Sequence, residues 1–177
     1  MAPADRDLGP ETGPENDPAT DPGLLGIYLN DHLAGARAGM ELAQGLAGSG
    51  DETLVRIAEE IVEDRQELIG AMKALGIPVH HVKQVLARVG EQLGKLKPNG
   101  RLVRRSPLSD LVELEMLRLG VEGKAGMWRT LRTVSEQGHL NSDHLNRLIE
   151  RAERQSAELE RRRLLASEVV AGTYRRV

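Results

Sequence analysis

The 177-residue chain has no cysteine and no phenylalanine, a single tryptophan and two tyrosines. Without thiols it can form no disulfide, no thiolate metal site and no cysteine nucleophile. Without phenylalanine a core must come from Leu, Val, Ile, Ala and Met. Scarce aromatics, abundant Ala, Glu, Leu and Arg, and little two-residue alternation predict an all-α protein. No apolar run approaches the roughly 20 residues of a membrane span, and the first residues lack the basic segment and apolar stretch of a signal peptide. Together with the missing cysteine, these absences predict a soluble cytoplasmic protein with no membrane partner. Also missing are a glycine-rich phosphate loop, a zinc motif and a serine-nucleophile motif.

The net charge of −3 is unevenly spread. Asp5, Asp7, Glu11, Glu15, Asp17 and Asp21 stand against Arg6 alone, in a stretch rich in Pro and Ala. Such a composition buries too little apolar surface to fold. Residues 1–21 therefore read as a disordered, solubilising acidic tail, and residues 22–177 as one helical domain.

Within that domain a first helix is predicted from Pro22, capped by Asp21, to about Ala47. A turn over residues 48–51 follows, with Ser49 and Glu52 spaced as a capping box. A second helix carries Leu54, Ile57, Ile61, Leu68, Met72 and Leu75, and Gly76 with Pro78 ends it. Residues 79–96 predict a shorter helix with Val82, Leu86, Val89, Leu93 and Leu96 on one face. After the Pro98-Asn99-Gly100 turn, Ser106-Pro107 starts a long helix that reaches about Glu136. Beyond Gly138, Asn141 caps a last helix running to about Val170, with Leu140 and Leu145 spaced as a hydrophobic staple. Two tight turns make two antiparallel hairpins, and the long connection can climb the bundle. The expected fold is an up-down-down-up four-helix bundle with an extra short helix in the crossover between helices two and three.

This arrangement resembles the ferritin-like superfamily over about residues 22–170. The stretches Tyr28-Leu-Asn-Asp-His32, Ala58-Glu-Glu-Ile-Val-Glu-Asp-Arg-Gln66 and Leu119-Gly-Val-Glu-Gly-Lys124 are similar to those of uncharacterised bacterial members. The resemblance implies a di-iron centre, built from one Glu on each of two helices and a Glu-x-x-His pair on each of the others. The pairs are broken here. Three residues after Glu60 and Glu63 stand Glu63 and Gln66, three after Glu150 and Glu153 stand Glu153 and Ser156, and His32 occupies the place of a first-helix Glu. The site reads as a degenerate one, and no cofactor is expected.

The interior polar residues nevertheless single out a level of the bundle. His32 interrupts the apolar face formed by Leu25, Leu29, Ala36, Met40 and Ala43, so its imidazole needs a partner. Counted from the shared turn, Asp64 lies at nearly the same height, at the edge of the second helix's apolar face. Arg65 falls near the middle of that face, among Ile61, Val62, Leu68 and Ile69. Gln155 and Ser156 sit at a similar depth on the last helix. On the third helix Glu115 and Glu122 share a stripe with Arg118 and Arg129, which reads either as paired surface charges or as placing Glu122 opposite His32. The expectation is a buried, structural polar network of His32, Asp64, Arg65, Glu122 and Gln155. The alternative is a metal or small-ligand site, with iron or manganese held by His32, Glu60, Asp64 and Glu122, and with redox activity.

Other features take the plainer reading. Gly35, Gly39, Gly120, Gly123 and Gly126 lie inside helices, at a cost of about 1 kcal/mol each relative to Ala. Close helix contact is the preferred account of them, over room for a ligand. A second apolar face on the third helix, including Trp128, suggests a dimer seam. Lys83, Arg88, Lys95, Lys97, Arg101, Arg104 and Arg105 oppose one acid, Glu91, but have no interleaved aromatics, so a solvated face is preferred to a nucleic-acid site. His80 and His81 diverge around a helix and make a poor joint site, and His139 and His144 beside Asp143 read as helix-start residues. The function expected is a non-catalytic bundle acting through protein association as a homodimer. Its rivals are a metal- or small-ligand-binding bundle and a nucleic-acid accessory protein using the basic crossover.

Overall fold

The computed structural model describes residues 22–80, 106–135 and 138–174, and among them every regular element is a helix. In chain order these are α1 (Pro22–Ala47), α2 (Glu52–Ala74), α3 (Pro107–Val134) and α4 (Ser142–Tyr174). The acidic tail, the basic segment and nearly all of the expected short crossover helix lie outside the described residues. Val79 and His80, placed in that helix by the sequence, are not helical.

Local chemistry sets the helix ends. Asp51, not Ser49, caps α2: its Oδ1 accepts from the amides of Thr53 and Leu54 at 2.9 and 3.1 Å. The hydroxyl of Ser49 instead donates back to the carbonyl of Leu46 at 2.8 Å, so the expected capping box does not form. At the far end of α2, Gly76 adopts φ +68, a conformation that favours glycine. The Ile77 amide then reaches the Met72 carbonyl at 2.9 Å and the Gly76 amide reaches that of Lys73 at 3.1 Å, a Schellman motif. Ser106 caps α3 with Pro107 at its first position. Asn141 accepts from the His144 amide at 2.9 Å to start α4.

α1 packs on α2 and α3, and α4 packs on α3 and α2. Polar contacts between α2 and α4 descend in register, Asp51 with Arg162, Glu60 with Gln155 and Glu67 with His144, so these helices are antiparallel. Glu115 with Arg163, Arg129 with Glu153 and Arg132 with Asn146 do the same for α3 and α4. Glu115 and Arg129 thus pair across the hairpin instead of along their own helix.

Each core stripe steps by three and four residues, the spacing of coiled-coil seams. On α2 it reads Leu54, Ile57, Ile61, Asp64, Leu68 and Ala71, all buried. On α3 it reads Leu114, Leu117, Val121, Lys124, Trp128 and Leu131, and on α4 Leu145, Leu148, Ala152, Gln155 and Leu159. Trp128 is fully buried within this core, so it cannot line a dimer seam. Where α2 ends, the Asn30 side chain donates to the carbonyls of Gly26 and Pro78 at 2.8 and 3.1 Å and accepts from the His80 amide at 2.7 Å, tying the exit of α2 to α1. No helix among the described residues is long and apolar enough to cross a membrane.

Because Arg162 already stands against the α2 cap, residues 164–174 of α4 project past the α1–α2 turn, by about 16 Å at 1.5 Å per residue. The start of α3 accompanies them. Leu108, Leu164, Leu165 and Val169 on this projection are 47 to 62% exposed.

Candidate functional site

The core stripes of α2, α3 and α4 each carry one polar residue at mid-bundle, and the three meet. The Lys124 ammonium donates to Asp64 Oδ2 and, at 2.6 Å, to Gln155 Oε1. The other end of the same amide donates to Glu60 Oε2 at 2.7 Å. Arg151 closes the group, giving one guanidinium nitrogen to Asp64 Oδ1 and the other to Glu63 at 2.8 Å. Arg56 extends it outward to Glu60 at 2.8 Å and to Glu158. Asp64 is only 3% exposed and Gln155 1%, so this is a buried ion-pair cluster, with the outer charges of Glu63 and Arg56 at its wet edge.

Such a cluster is marginal in net energy, because desolvating each ion offsets most of the attraction; breaking one pair is nevertheless expensive. The balance is visible at Lys124. Burial pulls its ammonium below the ordinary lysine range, the Asp64 carboxylate opposes that pull, and the nearby Arg151 charge adds to it. Buried hydrogen-bonding capacity is otherwise nearly matched. The exceptions among the described residues are the Nε atoms of Arg118 and Arg151 and the indole nitrogen of Trp128.

Of the five residues expected to form one network, only Asp64 and Gln155 belong to this cluster. Glu122 is exposed and accepts a hydrogen bond from the Ser156 hydroxyl at the edge of the α3–α4 seam. His32 makes no side-chain hydrogen bond among the described residues. Its ring stands edge-on to Tyr28, with centroids 4.6 Å apart and planes at 72°. Burial lowers its pKa and the adjacent Asp31 charge partly opposes this, so the imidazole is neutral near pH 7. Arg65 is half-buried and forms no ion pair among the described residues. Its expected place in the middle of the α2 face is taken by Asp64, since steps of three and four from Ile57 and Ile61 land on 64.

Lys124 and Arg151 were not foreseen. Lys124 was legible in principle, because steps of four and three from Leu117 pass through Val121 to position 124 and on to Trp128. Arg151 carried no such signal, since it flanks its stripe instead of occupying it.

His32 and Arg65 face a different feature, a half-open cavity of about 550 Å³ between α1, α2 and α3. Asp64 and Lys124 form part of its wall, so the closed cluster and the cavity share a boundary. The rest of the wall is mainly apolar, including Leu68, Leu117, Met127 and Trp128. Gly35, Gly39, Gly120 and Gly123 also line it.

The residues suggested as a metal set do not fit one. Both oxygens of Asp64 and both of Glu60 already accept from cationic or amide donors, and Glu122 is engaged by Ser156. Among the described residues no group of three or more His, Cys, Asp or Glu is disposed to hold a metal ion. His144 contacts Glu67 at 2.8 Å, a pairing between α4 and α2 that the sequence did not suggest. No protein-family model, curated protein or solved structure matches this chain.

Proposed function

We propose that this chain is a ferritin-like bundle of up-down-down-up topology that acts without catalysis, by associating with a second copy of itself. Its centre carries an internal ammonium in place of the superfamily's metal. The topology is supported by the antiparallel registers of α2 with α4 and of α3 with α4, combined with the tight α1–α2 turn. The absence of catalysis is supported by the engagement of the central carboxylates: every oxygen of Asp64 and Glu60 already accepts from a cationic or amide donor.

The observation that carries association is the projecting end of the α3–α4 hairpin. Leu165 and Val169 are one helical turn apart on the same face, and they are 62% and 54% exposed with Leu108 nearby at 56%. Grouped exposure of this kind marks interaction surfaces more often than isolated apolar residues do. Light scattering after size exclusion tests the reading: the expected mass is twice the 19.4 kDa chain, falling to one chain in Leu165→Asp/Val169→Asp with helicity retained. A wild-type mass of one chain at tens of micromolar would sink it. Elemental analysis of protein purified without chelator tests the central claim separately, and stoichiometric iron or manganese would refute it.

A further inference from the structure

The four glycines on the cavity wall are not explained by close helix contact. A methyl group added at Gly35, Gly39 or Gly120 would meet no atom within 4 Å, and at Gly123 only the His32 ring edge at 4.0 Å. Glycine in a helix interior is destabilising relative to alanine, and with Gly35, Gly120 and Gly123 exposed and Gly39 half-buried, these positions border open cavity space that larger side chains would occupy. The cavity lies within the size range of small-molecule sites, and mainly apolar walls with a few polar groups are typical of them. Its rim is apolar as well. Ile27, one turn before the lining residue Asp31, is 64% exposed, and Leu119, one turn after the lining residue Met116, is 71% exposed.

The charges of the lining decide the ligand class. Asp64 is neutralised by Lys124 and Arg151, and Asp31 is solvent-exposed. That leaves Arg65 as the half-buried charge with no partner among the described residues, and guanidinium groups favour carboxylates through charge-assisted, two-pronged hydrogen bonds. The geometry points to a binding site for an amphipathic monocarboxylate, its apolar body between α1 and α3 beside the glycines and Trp128, and its carboxylate on Arg65. This goes beyond association through the α3–α4 projection and does not depend on it.

Trp128 is the chain's single tryptophan and borders the cavity from within the core, so its emission is a nearby probe of occupancy. The full chain is titrated with decanoate, with decan-1-ol and with decylamine, all below their aggregation limits, following fluorescence and heat. Decanoate is expected to give saturable binding with a change in Trp128 emission, with decanol weaker and decylamine weakest. Arg65→Gln should weaken decanoate about tenfold while leaving decanol unchanged, as expected for one charge-assisted contact. Gly39→Leu, which fills the space without touching a charge, should abolish both. Gly120→Leu repeats that test from the opposite wall, and circular dichroism verifies that each variant is folded. An unchanged emission with decanoate, equal binding of decanoate and decylamine, or full affinity in folded Gly39→Leu and Gly120→Leu proteins would overturn the proposal.

Discussion

Asp64 and Arg65 are neighbours in the chain and opposites in their surroundings. Both oxygens of Asp64 are bound by cations in a 3%-exposed setting, whereas Arg65 faces a half-open cavity with no ion pair among the described residues. The difference follows from helix geometry: one residue of advance turns a side chain by about 100°, from the seam shared with α3 and α4 to the side facing α1. On one side of the Asp64–Lys124 wall polar groups are matched to one another, and removal of Asp64 or Lys124 leaves a buried charge behind. On the other side polar groups are unmatched and space is left unfilled. Saturation suits a structural role and vacancy suits a ligand. The two regions should therefore respond in opposite ways to mutation.

The largest expected effect is on the closed side. Asp64→Ala strands the Lys124 and Arg151 charges and should cost about 3–5 kcal/mol in denaturant unfolding, the range for losing one partner of a buried pair. Changing both partners, in Asp64→Leu/Lys124→Met, should cost clearly less than the single change. A double variant as unstable as Asp64→Ala would mean that packing, not charge matching, governs the cluster. On the cavity side the sign reverses. Gly39→Ala and Gly120→Ala add a methyl where nothing lies within 4 Å, and each should stabilise by up to about 1 kcal/mol. A lower melting temperature in both would restore close helix contact as their explanation.

The pH response of His32 comes next. Burial holds its folded-state pKa below the ordinary 6.5, so protonation favours the unfolded chain. Stability should fall as pH drops from 6.5 through the folded-state value and level off below it. Asp31, Asp64, Arg65 and Lys124 share the cavity with the imidazole and act in both proteins, so the comparison is with His32→Gln. The wild type should lose more melting temperature between pH 7.5 and 5 than the variant, and parallel curves would remove the desolvation argument. The smallest effect is expected at Arg65. Arg65→Gln breaks no ion pair among the described residues and should change stability by less than about 0.5 kcal/mol, in contrast to its expected tenfold effect on decanoate.

Much of the fold was readable because it rests on local rules. The Ser106 cap before Pro107 and the Asn141 cap follow from side chains accepting from amides two or three residues on, and the stop at Gly76 from a backbone conformation that favours glycine. The error at Ser49 is of the same local kind: two capping side chains stand two positions apart, and the backbone chose Asp51. The polar centre was readable only in part. Asp64 and Gln155 were noticed by depth, but Lys124 was overlooked because a lysine in a heptad slot looks like a long side chain that can reach solvent. Glu122 was misplaced because one helix does not reveal which of its two sides meets α4.

From the sequence alone come the four long helices, most of their ends, and His32, Asp64 and Gln155 as polar residues at mid-bundle depth, with Lys124 standing on the same spacing though it was overlooked. Those are consequences of spacing and short-range hydrogen bonding, which need no partner helix. Only the tertiary structure decided that three of the four meet while the fourth does not. Which stripes converge depends on the rotation of each helix about its axis and on how close α1 approaches α3. His32 stands apart from the cluster, on the wall of an open cavity that Gly35, Gly39, Gly120 and Gly123 also line.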